Sequence, residues 1–264
     1  MKPRDARGFM GFKLLKRISN KTYGIIGFLI FFSAWEFFSK LQIISNVYLP
    51  PLENVLSSLW FILGQHDTYL HIADTLRNFG IGYGLALAMG VPFSYVMGLS
   101  KRLYSMFDPL ISALFSAPLI TLLPLFVIIF GIYDECKIAM IFIASIFPLI
   151  ISLTAGLRAV PLDLIEMAKS FGANGFQLFY TIYLPASLPS FIAGLRVSFT
   201  RALIFTLVAE MYVSVVGIGH LISWSSQFVR MSEAFSYIFI VAFMAVCITY
   251  VLKYLETKMR GWGM

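Results

Sequence analysis

Apolar residues run without a single charge through 78–100, 109–133 and 138–157. Each run is long enough to cross a hydrocarbon layer about 30 Å thick at about 1.5 Å per helical residue. A fourth run covers 234–252, and a weaker one covers 23–40 with Glu36 near its end. The stretch 190–216 is equally apolar but contains Arg196, Arg201 and Glu210. The pattern predicts an all-α membrane protein of about six transmembrane helices, over 23–40, 78–100, 107–133, 137–157, 190–216 and 234–252. These form one domain over 23–258, between a basic N-terminal segment 1–22 and a tail 259–264.

Two stretches carry a half-polar pattern and are not predicted to cross. In 49–63, Leu52, Val55, Leu56, Leu59, Trp60 and Leu63 recur at helical spacing, while Glu53, Asn54, Ser57 and Ser58 take the other face. Pro50 and Pro51 suit a helix start. This reads as an interfacial helix leading into the second span; a core helix of a soluble domain is disfavoured, because no soluble domain is left to hold it. In 161–185, Pro161 can begin a helix, Asp163 and Glu166 favour its positive end, and Leu162, Ile165 and Ala168 make a narrow apolar stripe. Gly172 can supply the left-handed turn that ends it. A second short helix carrying Phe176, Phe179, Tyr180 and Tyr183 is expected to break at Pro185. The prediction is a pair of short helices meeting at a glycine corner, lying flat beneath the membrane.

Charge then orients the bundle. Of the 20 basic residues, 14 fall on one side if the N-terminus is cytoplasmic, against Lys40, Arg77, Lys137 and Arg230 on the other, with Arg196 and Arg201 inside a span. Both termini are therefore expected in the cytoplasm, and the net charge of +7 reads as membrane orientation rather than nucleic-acid binding. The stretch FFSAWEFFSK offers no small-residue cleavage site, so an uncleaved first span is expected. Cys136 and Cys247 suggest neither a disulfide framework nor a zinc site.

Glu166, Ala168, Gly172, Ile182, Leu184 and Pro185 fit the spacing Glu-x-Ala-x3-Gly-x9-Ile-x-Leu-Pro. It resembles the cytoplasmic coupling motif of permease subunits in binding-protein-dependent ABC importers of type I, with Met167 where that family usually shows a second alanine. The LPPLEN opening, the GLSKRL loop with Asp108-Pro109 after it, GLRAVPLDLIEMAKSFGA and GLRVSFTRALIFTLVAEM are similar to the nitrate, sulfonate and taurine branch. The resemblance covers nearly the whole chain. It implies a prokaryotic inner-membrane permease that forms the solute path, probed from outside by a binding protein and gripped by two copies of an ABC ATPase. A second permease copy, as a homodimer, is implied too. ATP and magnesium would be used by the partner ATPase, and no cofactor is expected on this chain; its own sequence has no G-x-x-x-x-G-K-[ST] phosphate loop. Residues of the motif and its flanks, Glu166, Met167, Ala168, Lys169, Gly172, Ala173, Phe176, Ile182, Leu184 and Pro185, become the expected ATPase-coupling set. The competing reading, a loop resting on lipid headgroups, would favour a polar face rich in Lys and Arg, yet only Lys169 lies between Arg158 and Arg196.

Charged side chains inside a bilayer cost about 2.5–3.5 kcal/mol each on insertion scales and are functional candidates by default. Arg201 and Glu210 point to opposite sides of one helix, about 13 Å apart in rise, so each needs a partner elsewhere. Asp108, a main-chain carbonyl or an anion in the path could serve Arg201. Pro118 and Pro124 are expected to kink the third span and, with Arg201 and Glu210, are the candidates for lining or gating the path. His66 and His71 are five apart, not on one helical face, and no metal site is expected. An ion-coupled secondary transporter is the alternative, but neither an acidic relay at the midplane nor an inverted repeat is evident. A membrane-embedded enzyme would need a convergent polar site, and catalysis by this chain is not expected.

Overall fold

The computed structural model describes residues 20–260, so the segments expected over 1–22 and 259–264 lie for the most part outside the described residues. Among the described residues the order is α1 (Asn20–Lys40), α2 (Leu52–Leu63), α3 (His66–Leu99), α4 (Lys101–Ser116), a 3-10 turn (Leu119–Leu122), α5 (Leu123–Phe130) and α6 (Asp134–Arg158). It continues through α7 (Leu162–Ser170), α8 (Gly175–Leu178), a widened turn (Phe179–Tyr183), α9 (Leu184–Val213), α10 (Ile218–Gln227) and α11 (Met231–Arg260). Four helical runs are long and apolar enough to cross a membrane: His66–Leu99, Asp134–Arg158, Gly175–Val213 and Met231–Val251. A fifth arises if the pair Lys101–Ser116 and Leu119–Phe130, bent by 84°, counts as one span. Length and composition thus give four or five crossings where six were expected. Helix α1, which carries Glu36 and Lys40, falls outside that count.

The departures from the expected spans have local causes. Helix α3 begins at His66, well before the charge-free run at 78, because Asp74, Arg77 and Asn78 find polar partners on other elements and need not be loop. The span expected over 107–133 is broken: Ala117 is extended (φ −65°, ψ 137°), as the ring of a following proline demands. Pro124 kinks nothing, since it sits in the first turn of α5, where its missing N–H is no loss. The expected break at Pro185 does not occur either. The chain widens its turn over 179–183, so that the Leu184 N–H reaches back five residues to the Phe179 carbonyl, and Pro185 falls in the first turn of α9. Helix α9 ends at Val213 rather than 216, where Ser214 turns extended.

Helix α2 forms where expected. Val55 and Ile62 are buried, Ser236 Oγ donates to the Val55 carbonyl at 2.9 Å, and Leu56, Trp60 and Leu63 point outward. Glu36 of α1 accepts the Leu52 N–H at 3.0 Å, placing a carboxylate on the unpaired donors that open α2.

At the centre, α6 lies between α3 and α9. Lipid tails are as apolar as leucine, so helices in a membrane hold together by close approach rather than by escape from water. Small residues supply that approach. An added Cβ would stand 2.8 Å from Ile141 Cβ at Gly82, 2.7 Å from Leu157 at Gly98 and 2.9 Å from Ser152 Cβ at Gly194. At Gly156 it would collide with Ser190. Met97, Ile111 and Ile150 fasten α4 to this core, while Cys136, Met140, Ala144, Phe205 and Ala209 receive α5 and the 3-10 turn.

Candidate functional site

Between α6 and α9 the chain forms an elbow. Helix α7 starts at Pro161, with Asp163 in its first turn and Lys169 in its last, both matched to the helix dipole. Its end is closed by two backbone bonds: Gly172 N–H to the Lys169 carbonyl (2.9 Å) and Ala173 N–H to the Ala168 carbonyl (3.0 Å). That turn needs a left-handed residue, and Gly172 has φ +81°. Asn174 then opens α8 through a reciprocal cap, accepting the Gln177 N–H at 2.9 Å while Gln177 Oε1 accepts the Asn174 N–H at 2.8 Å.

The elbow turns apolar side chains outward. Ile165 and Leu178 are buried, but Phe171 is 86% exposed and Leu162 and Phe176 are each 72% exposed. Of the expected coupling residues, Glu166, Met167, Lys169, Gly172 and Phe176 are exposed, whereas Ala168, Ala173, Ile182, Leu184 and Pro185 are half-buried along the way into α9. Tyr95 of α3 steadies that junction: its ring meets Phe179 edge-on at 5.1 Å, and its hydroxyl lies 3.2 Å from Ser187 Oγ.

Further along, the break at Ala117-Pro118 forms one wall of a cavity of about 150 Å³, lined also by Phe115, Ile120, Phe147 and Arg201. The Arg201 guanidinium lies over the Phe115 ring, 5.5 Å from its centroid. Neither Asp108 nor any other carboxylate forms an ion pair with Arg201 among the described residues. Glu210, on the same helix, is fully buried, so the two charges are not brought together.

The end of the bundle opposite the elbow holds two polar assemblies. One caps α10: the Gly217, Ile218 and Gly219 N–H groups donate to His71 Nδ1 (2.9 Å), Thr75 Oγ1 (2.9 Å) and Glu210 Oε2 (2.8 Å). Three unpaired donors of a helix start are thereby satisfied by two spanning helices. Gly217, at φ +115°, also leaves the space that the Glu210 carboxylate fills. Burial first, then the neighbouring His71 ring, holds the His220 imidazole below its usual range.

The other assembly surrounds Lys137, 3% exposed, whose Nζ lies 2.9 Å from Asp74 and 2.7 Å from Asp134 and reaches Ser214 Oγ at 3.2 Å. It borders a cavity of about 630 Å³ lined by Asp74, Tyr133, Asp134, Glu135, Lys137 and Val215, among others. Sequence reasoning singled out Glu210 as needing a partner elsewhere but missed the cap it completes and the whole of the Lys137 assembly. The available signal was the spacing of Asp134 with Lys137, and of Asp74 with Arg77 and Asn78, one helical turn apart at the mouths of apolar runs. Among the described residues no cluster of three His, Cys, Asp or Glu could hold a metal.

Comparison with known proteins bears on this arrangement. A family model described as "Binding-protein-dependent transport system inner membrane component" matches residues 83–261. The chain is 29% identical over 238 residues to the taurine transport system permease protein TauC of Escherichia coli, covering 88% of this chain and 86% of that protein. It is 31% identical over 233 residues to a putative ABC transporter permease protein of Methanocaldococcus jannaschii, covering 86% and 87%. A nitrate import permease protein of Leptolyngbya laminosa is 25% identical over 232 residues, covering 83% and 82%. Among solved structures, a chain of the MetNI methionine ABC transporter in an inward-facing conformation superposes with a TM-score of 0.55 at 16% identity, over 80% of this chain and 97% of that one. That likeness is one of fold.

Proposed function

The chain belongs to the family of binding-protein-dependent transport system inner membrane components, and on that footing we propose that it is the path-forming permease of an ATP-driven importer whose energy comes from a separate ATPase chain. The elbow carries this reading. ATP-driven closure moves soluble domains as rigid bodies, and a membrane bundle can take up that motion only through an element that protrudes into water and is continuous with its spans. The 162–183 elbow joins α6 to α9, and its exposed Phe171, Phe176, Met167 and Leu162 offer broad contact area to a partner. Glu166 and Lys169 add charge at its rim, Gly172 and Ala173 make its corner, and Ala168, Ile182, Leu184 and Pro185 lead the motion into α9.

In this reading two copies of the chain stand side by side in a prokaryotic inner membrane, with both termini and the elbow cytoplasmic, as the distribution of basic residues favours. Two ATPase subunits hold the elbows and use ATP with magnesium; an extracytoplasmic binding protein delivers solute to the opposite end. The solute is a small organic or inorganic anion such as a sulfonate, taurine or nitrate, the classes named for the relatives. The Pro118 break borders the path, with Pro124 opening the helix beyond it. Glu210 holds α10 in place at the delivery end and does not touch solute.

Affinity purification of the tagged chain from its native membrane, with identification of copurifying nucleotide-binding subunits, tests the proposal. The ATPase should copurify with the unaltered chain and be lost from Phe176→Asp and Glu166→Lys variants that still reach the membrane. An ATPase that never copurifies, or that both variants retain in full, would overturn the reading.

A further inference from the structure

We propose that the cavity at the α4–α5 break is a contact point for the oxyanion head of the transported solute, with Arg201 as its hydrogen-bond donor. The inference rests on the importer reading above and adds to it a residue and a ligand chemistry.

Four observations carry it. First, Arg201 forms no ion pair among the described residues, whereas the basic residues at the opposite end of the bundle do: Lys137 has Asp74 and Asp134, Arg77 has Asp134, and Arg230 has Glu233. Among the described residues no carboxylate, hydroxyl or carbonyl lies within hydrogen-bonding distance of the Arg201 guanidinium. Arg201 is an exposed residue of the spanning helix α9, and because a charge facing lipid costs about 2.5–3.5 kcal/mol on insertion scales, it is placed to face a watered path, where a ligand can supply the counter-charge.

Second, the guanidinium is positioned. It lies over Phe115, 5.5 Å from the ring centroid and within cation–π range, a contact that uses the face of the guanidinium charge and none of the N–H donors along its edge. Such an edge donates two parallel hydrogen bonds to neighbouring oxygens of a trigonal or tetrahedral oxyanion. Third, the cavity suits a head group. Its volume of about 150 Å³ admits a nitrate or a sulfonate with a short tail. The other walls, from Pro118, Leu119, Ile120, Phe147 and Phe205, are apolar, so a charge-assisted bond made there is stronger than in water.

Fourth, the site lies where the helix is interrupted. Spanning helices are broken where a path or binding site needs irregular backbone, and here the chain turns by 84° beside Arg201. The larger cavity at the other end differs in chemistry: Lys137 there is neutralised by two carboxylates and Glu135 adds a third, which disfavours an anion.

Calorimetric titration of the protein in nanodiscs, with sodium methanesulfonate and with sodium nitrate against choline chloride at matched ionic strength, tests the assignment. Saturable binding of at least one oxyanion is expected for the unaltered protein and for Arg230→Gln, which removes one positive charge elsewhere. Binding should weaken by about tenfold or more in Arg201→Gln, where the charge-assisted bidentate pair is gone, and by less in Arg201→Lys, where charge remains without the fork. Ile120→Trp, which fills the cavity without altering charge, should weaken it comparably, and it serves if Arg201→Gln does not fold. The proposal is overturned if the unaltered protein binds neither anion, or if Arg201→Gln and Ile120→Trp bind as it does. Failure of the importer reading would show separately, as absence of the ATPase from the purified assembly.

Discussion

Gly172 and Gly175 allow the elbow to be tested with two chemically identical changes. Neither has any atom within 4 Å of the position a Cβ would take, so an added methyl group meets open space at both sites. They differ in backbone: Gly172 has φ +81°, while Gly175 is the first residue of α8 and has no positive φ. Alanine in the left-handed region is disfavoured by about 1–2 kcal/mol, whereas alanine in a helix is favoured over glycine by up to about 1 kcal/mol. Gly172→Ala should therefore weaken the closed turn by roughly five- to thirtyfold in population, and Gly175→Ala should leave it unchanged or firmer. How much of the penalty reaches the ATPase contact depends on when it is incurred. If the free elbow relaxes to another turn and must be reformed on binding, the whole factor appears as lost affinity; if the elbow keeps its shape, the loss appears as lower stability of the purified chain. Affinity of the purified ATPase for the chain in nanodiscs, measured alongside the chain's thermal midpoint, reads both quantities. Equal behaviour of the two variants in both measurements would refute the claim that a left-handed corner sets the elbow.

The opposite end yields two further predictions. Glu210→Ala leaves the buried Gly219 N–H without its acceptor and should cost about 1–3 kcal/mol or more in stability, while Glu210→Gln, which keeps a side-chain oxygen, should cost less; thermal midpoints in one detergent check the order, and equal midpoints for Ala and unaltered protein would contradict it. Lys137→Met leaves Asp74 and Asp134 facing each other without their shared cation and should cost about 3–5 kcal/mol. A Lys137→Met, Asp74→Asn double variant should recover part of that loss, and a double variant less stable than either single one would count against the assigned geometry.

The parts of the molecule legible in the sequence were those whose causes are local. Pro161, Asp163, Gly172 and the residues between them specify one short helix and its stop within a dozen positions, and the structure has that helix and that stop. The charge-free run 138–157 likewise became α6 with little change at its ends. Features that depend on distant partners were not legible. Reading charge as the edge of a span truncated α3, because the charges at Asp74 and Arg77 are answered from α6, some sixty positions away in the chain. His71 was weighed only as a metal ligand and set aside, and its acceptor role depends on Gly217, 146 residues later. Proline was misread twice in the same direction: at Pro185 and Pro124 it opens a helix, where sequence alone suggested a break or a kink. On α2 the burial of Ile62 was not anticipated, because it depends on the α10–α11 cluster that receives it.

The elbow grips the two helices least able to slide past each other. At Gly156 and Gly194 the backbones of α6 and α9 approach so closely that a methyl group would strike Ser190 or Ser152, so a push on the elbow must carry both helices together. Helix α3 is drawn along, since Gly82 and Gly98 seat it equally tightly on Ile141 and Leu157 of α6. The three run to the far end, where α3 and α9 supply the acceptors that hold α10 and α6 supplies Lys137. What moves relative to this block has to be joined to it more loosely. The α4–α5 pair meets that condition: it is attached through side-chain contacts of apolar residues, is interrupted at Ala117-Pro118 and bends by 84° there. On the proposed coupling, a displacement entering at Phe176 would have its compliant point beside Arg201, which ties the mechanical argument for the elbow to the chemical argument for the cavity.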